Sequence, residues 1–146
     1  MSLTINLKNN QNKITPAPKK VEKIILSVLK NEKIKKPAEI CLFITNDKEI
    51  KELNLLYLGE NSATDVIAFN LSADKKKIYA DIAISAEVAK RNAKIFHTSP
   101  LYELYLYVAH GILHILGYND DTKTKQRIMQ AKAEKILECL SLKPKP

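Results

Sequence analysis

The sequence predicts an α+β fold: a single domain with a mixed four-stranded sheet covered by helices. Three observations carry this. Four short runs rich in β-branched and aromatic residues are separated by longer stretches with apolar residues at helical spacing. The 146 residues, 45% of them apolar, suffice for one core without staples. No internal repeat or low-complexity tract divides the chain; the Pro16-Ala17-Pro18 break and a frayed end at 143–146 separate no domains.

Residues 3–7 (LTINL) alternate and read as the first strand. Val21, Ile24, Ile25, Val28 and Leu29 recur at helical spacing, which predicts a helix over 17–31. Residues 39–45 (EICLFIT) form a compact β-type run. Asn46 with Glu49 three positions later reads as a capping box for a helix carrying Ile50, Leu53 and Tyr57, which Gly59 ends. Residues 65–69 (DVIAF) and 78–84 (IYADIAI) are two further strands, and Ser85 caps a short helix to about residue 94. Ser99-Pro100 pairs a capping residue with proline at the first helical position, opening a helix that runs to about 116, where Gly117 stops it. A last amphipathic helix places Met129, Ala133, Ile136 and Leu140 on one core stripe.

A net charge of +8 favours polyanionic partners such as nucleic acid, although a solvated lysine-rich surface accounts for the same count. Arg91 and Arg127 are the two arginines among the basic residues. The most apolar stretch, 101–116, contains a Glu, two His and a Gly and is too short to span a bilayer, so no membrane partner is expected. The start, MSLTINLKNN, lacks the apolar core of a signal peptide, which makes the cytoplasm the expected location. Cys41 and Cys139 form neither a disulfide framework nor a metal knuckle.

The chemistry concentrates in HGILHILGYND, residues 110–120. Two histidines four apart on a helix lie one turn apart on one face, so His110 and His114 can reach one metal ion. Gly117 permits the turn that folds the chain back, and Asp120 can return as third ligand. Three protein ligands leave a tetrahedral position open, as catalytic zinc sites do. Asp120 also sits where the following helix needs an N-cap, a competing role. Gly111 in mid-helix costs roughly 1 kcal/mol relative to Ala, which makes sense if the backbone must leave room beside a metal. The spacing H-x-x-x-H-x-x-G-x-x-D copies that of zincin-like peptidases of the metzincin type, but Gly111 stands where those carry their general-base Glu. A peptidase is therefore disfavoured, and no general base is evident.

These residues resemble the YbeY family of bacterial metallo-endoribonucleases, which act in ribosomal RNA maturation. HGILHILGYND is similar to the family hallmark H-G-x-L-H-L-x-G-Y-D-H. ATDVIAF (63–69) looks like its TDVLSF strand and ADIAIS (80–85) like its GDI-x-I-S strand; Leu53-Asn54 and Tyr57 match the helix before them. The resemblance implies a divalent metal, zinc first, held by His110, His114 and Asp120, and cleavage of single-stranded ribosomal RNA in 16S 3′-end maturation and ribosome quality control. It implies a small-subunit ribosomal protein and a ribosome-assembly GTPase as further partners. Thr64 and Asp65 would border the substrate cleft, although turn capping is an ordinary role for both. Asp81 could orient a ligand imidazole from behind, and His97 reads as polar surface. Two departures matter. The third ligand is usually His rather than Asp120, and the family's Y-R-G arginine is Leu58 here, a loss that Arg91 or a Lys would have to offset. The alternative is an RNA-binding ribosome-assembly factor whose metal is mainly structural.

Overall fold

The computed structural model describes residues 2–61 and 64–145. The elements run β1 (Leu3–Asn9), α1 (Pro18–Asn31), β2 (Ala38–Thr45), α2 (Asp47–Leu58), β3 (Val66–Asn70), β4 (Ile78–Ser85), α3 (Ala86–Phe96), α4 (Pro100–Ile115) and α5 (Lys123–Cys139). The sheet has the order β1-β2-β4-β3. β1, β2 and β4 are parallel, whereas β3 returns antiparallel to β4 as an edge strand. The mixed four-stranded sheet and the helices are as the sequence predicts. None of the helices among the described residues is long and apolar enough to cross a membrane.

The two sheet faces are treated unequally. Ile40, Leu42, Ile44, Ala80, Ile82 and Ile84 point into the main core, where α1 and α4 cover them. The opposite face has only a small cluster of Ile50, Ile67 and Ala83 beneath α2. The stripe expected on α2 is accordingly only partly used. Ile50 is buried, but Tyr57 is 61% exposed and merely rests against the Phe69 ring, 5.0 Å between centroids. Asn46 does cap α2 by accepting the Glu49 N–H, yet the Glu49 carboxylate turns to the Thr45 hydroxyl (2.5 Å) instead of closing the box.

α4 is the axis of the molecule, packed against α1, α3, α5, β3 and β4. Ser99 caps it through the Tyr102 N–H, and Pro100 opens it, as expected. Gly111 is where it comes closest to the sheet. A Cβ there would lie 2.7 Å from Ile82 Cγ2 and 3.3 Å from Val66 Cγ2. The missing side chain therefore makes room for β4 and β3, not for a metal as the sequence suggested. Of the tail expected to fray over 143–146, Pro144 is held: its carbonyl accepts the Ser99 N–H at 2.8 Å. Pro146 lies outside the described residues, as does Ala63 of the 63–69 block.

Candidate active site

From Tyr102 to Ile115 every residue of α4 is buried except His110 and His114. Their spacing puts both on the edge that looks past β3 toward α5, and both line one cavity of about 150 Å³. Asp65, immediately before β3, enters from one side, and Asp120, on the turn after α4, from another. Gln126, Met129 and Gln130 of α5 complete much of the wall. The sequence reading therefore located two imidazoles and two carboxylates that the fold brings together.

The turn after α4 explains how. Gly117 adopts φ +105°, its N–H bonds the His114 carbonyl, and the Tyr118 N–H reaches back to the Leu113 carbonyl. This paired closure is the Schellman arrangement, which requires a left-handed residue at that point. It brings the Tyr118 carbonyl within 3.2 Å of His114 Nδ1. A carbonyl only accepts, so Nδ1 carries a hydrogen, and in the neutral imidazole Nε2 is then the free lone pair. Burial pushes the His110 imidazole below its ordinary value; Asp65 opposes this, His114 reinforces it, and Gln130 and Asp120 oppose it further. A neutral imidazole is the form that binds metal.

Asp65 is held in place. Its Oδ1 accepts the Val66 N–H at 2.8 Å and the Thr64 hydroxyl at 3.1 Å, while its carbonyl accepts the Ser85 N–H. Asp65 thus caps the turn and also lines the cavity, whereas Thr64 is hydrogen-bonded to it and is not on the cavity wall. Asp120 is exposed and does not cap α5. Thr122 does, its hydroxyl accepting the Lys125 N–H at 3.1 Å, while the Asp120 carbonyl takes the Gln126 side-chain amide. The competing role is thereby removed.

Two candidates are not brought to the cavity. Asp81 is exposed on β4, on the face opposite Ile82, because successive strand residues alternate sides. It cannot reach an imidazole on α4; the polar partner of His114 Nδ1 is the Tyr118 carbonyl. Arg91, on α3, is paired with Asp47 beside Lys13, Glu87 and Lys94, away from the histidines. His97 is the exposed, left-handed C-cap of α3. Met129, expected in the core, is buried and also walls the cavity. Gln126 and Gln130 were missed; their i, i+4 spacing on one face of α5 is the signal that could have found them.

The donor set suits a divalent cation: two imidazoles one turn apart with two carboxylates around the same space. Among the described residues, no three His, Cys, Asp or Glu side chains stand close enough together to hold an ion.

The family described as Endoribonuclease YbeY matches residues 4–141. A protein named Endoribonuclease YbeY from Bacillus velezensis is 33% identical over 150 residues, covering 94% of this chain and 96% of its own. One of the same name from Syntrophus aciditrophicus is 34% identical, covering 93% and 89%. Another, from Nautilia profundicola, is 40% identical over 104 residues, covering 71% and 73%. The solution structure of TM1509 from Thermotoga maritima superposes with a TM-score of 0.57 at 25% identity, covering 94% of this chain and 92% of that one.

Proposed function

The chain belongs to the YbeY endoribonuclease family and is a hydrolase of the nuclease kind, and from this premise we propose that it cleaves single-stranded RNA, in ribosomal RNA maturation, at the His110–His114–Asp120 cavity. One observation carries the reading: the only two gaps in the burial of α4 between Tyr102 and Ile115 are histidines, and both open on one small space shared with Asp65 and Asp120. At about 150 Å³ that space is well below the roughly 300–1,000 Å³ of pockets that swallow a whole small molecule. It suits a cation and one phosphate, with the nucleotide remaining outside.

His110, His114 and Asp120 would hold the cation, zinc by the chemistry of the donors. When bound, such an ion supplies Lewis acidity at a phosphoryl oxygen and lowers the pKa of nearby water. Asp65, fixed by two hydrogen bonds at Oδ1, faces the same space and is the carboxylate placed to take a proton from an attacking water. The groove of Lys123, Gln126, Arg127, Gln130, Ala131 and Glu134 on α5 shares both glutamines with the cavity, its basic pair lying at the end nearer Asp120 in sequence. We assign Lys123 and Arg127 the holding of the neighbouring phosphates, the task that Leu58 cannot perform and for which Arg91, paired with Asp47 and absent from the cavity wall, is not free. The apolar exposure of Leu55, Leu56 and Leu58 at the end of α2 favours a second reading, an RNA-binding assembly factor that docks on a ribosomal protein or assembly GTPase. Action in the cytoplasm belongs to both.

The first test separates them. Purified protein should carry about one zinc-like ion per chain, lost in the His110→Ala, His114→Ala double variant. It should cleave single-stranded RNA faster than duplex RNA, stop with a chelator, and bind RNA more weakly as salt rises. RNA binding that ignores the chelator, with no cleavage, selects the assembly factor. Specific cleavage of a peptide sinks both.

A further inference from the structure

Tyr118 has two ends that do different things. Its carbonyl meets His114 Nδ1, as described. Its hydroxyl donates to Glu32 Oε1, at the C-cap of α1. The other oxygen of Glu32 accepts from Lys132 Nζ of α5 at 3.2 Å, and that same ammonium lies 5.2 Å from the Tyr118 ring centroid. Three elements far apart in sequence thus close a ring of contacts around one side chain.

The position of this ring gives it a task. Across residues 117–122 Tyr118 alone is not exposed. Its side chain fastens an otherwise solvent-facing turn to α1 and α5, and Asp120, whose carbonyl meets Gln126, lies two residues beyond it. Glu32, moreover, stands at the negative end of the α1 dipole, where a carboxylate is disfavoured unless cations or donors meet it. Lys132 and the Tyr118 hydroxyl do so. The Tyr118 hydrogen bond foremost, and Lys132 after it, hold the Glu32 carboxyl below its ordinary range.

We propose that Glu32 and Lys132 are positioning residues for the histidine site, acting through Tyr118: by clamping its ring they hold its carbonyl on His114 Nδ1 and so keep Nε2 unprotonated and aimed at the cavity. The proposal rests on the reading of His114 as a metal ligand, but the clamp itself is present without metal and is testable without it.

The experiment uses the full chain, metal-free, at a pH where the imidazole is neutral, and reads the His114 tautomer by nitrogen-15 NMR. The unmodified protein and Glu32→Gln, which keeps an acceptor for the tyrosine hydroxyl, should show the Nδ1–H form. Glu32→Ala and Tyr118→Phe should show mixed tautomers. In parallel, zinc affinity should fall about 10–100-fold in those two variants and recover in Glu32→Gln, the range typical of losing the partner that orients a ligand. Glu39→Ala, which removes a remote surface pair with Lys77, serves as control and should change neither readout. Should Glu32→Ala fail to fold, Tyr118→Phe and Lys132→Met carry the test. Unchanged tautomer populations in folded Tyr118→Phe and Lys132→Met overturn the proposal. If the unmodified protein binds no zinc yet the tautomers shift as stated, the clamp stands and the metal reading falls.

Discussion

At the scale of single residues, Asp120 illustrates how the fold narrows a choice that spacing leaves open. Carboxylates cap helices and bind zinc, and position 120 suits both. With Thr122 capping α5, Asp120→Asn and Asp120→Ala should leave the melting temperature of the metal-free protein within a degree or so, because exposed substitutions away from special features cost little. Thr122→Ala, by contrast, should cost about 1 kcal/mol. Both Asp120 variants should weaken zinc binding in a competition titration. Asp120→His should retain it and lower the pH at which the alkaline limb of RNA cleavage begins, since a neutral ligand leaves the ion more acidic. Undiminished zinc affinity in Asp120→Ala would remove it from the ligand set, and Asp65, already on the cavity wall, would take its place.

At the scale of elements, α4 shows a helix whose composition is set by its neighbours on every side. Gly111 is its point of contact with Ile82 and Val66, and Ile82 is itself almost fully buried. Gly111→Ala would gain roughly 1 kcal/mol of helix propensity but force an overpacked contact, typically costing about 1–3 kcal/mol. Net destabilisation is expected, and the shift should propagate to His110 next door. Thermal unfolding of Gly111→Ala, alone and with Ile82→Ala, checks this: the two substitutions should be coupled, the Ala at 111 being tolerated better once the isoleucine is gone. Additive effects, or a stabilised Gly111→Ala, would mean that the helix does not press on the sheet there. The sequence shows only that a glycine sits in a helix; its reason lies on two strands.

At the scale of the whole molecule, the charge pattern predicts how stability changes with pH. Burial pushes Asp47 up, but the Arg91 and Ser85 hydrogen bonds with the Arg91 charge outweigh it, and the net shift is downward. Glu87 is lowered by the Asp47 N–H and Lys13, and Glu32 by Tyr118 and Lys132. A carboxyl with a depressed folded pKa contributes stability above its unfolded value, near 4, and loses it as pH falls through the folded value. These pairs tie α1 to α5, α2 to α3, and the loop after β1 to α3, so acid should loosen the contacts between elements. Glu103, buried in α4 with the Thr98 and Tyr107 hydroxyls, has the opposite sign, its carboxyl raised by burial. Its contribution is present below its unfolded value and is lost as pH rises through the folded one. Urea unfolding from pH 3 to 8 should therefore show stability falling below about pH 4.5. Glu103→Gln should flatten the decline on the neutral side without altering the acid side. An unchanged neutral side in Glu103→Gln would show that the buried carboxyl titrates normally.

What the sequence determined by itself is what depends on local order. Alternation placed the first strand and helical spacing the first helix, compact β-type runs gave the other strands, Ser85, Ser99 and Gly59 marked where helices begin and end, and the i, i+4 pair of histidines with a glycine three residues on located the cavity. These follow from chain geometry that neighbours in sequence already impose. The tertiary structure decided everything that depends on which face meets which. It turned Asp81 away from the histidines, because the side of a strand that faces α4 is chosen by the sheet's packing. It bound Arg91 to Asp47, gave the cap of α5 to Thr122 and not Asp120, and brought Glu32 and Lys132, 100 positions apart, together at Tyr118. Contacts of that separation leave no periodic trace in a sequence; they exist only once the sheet and the central helix have brought α1 and α5 together.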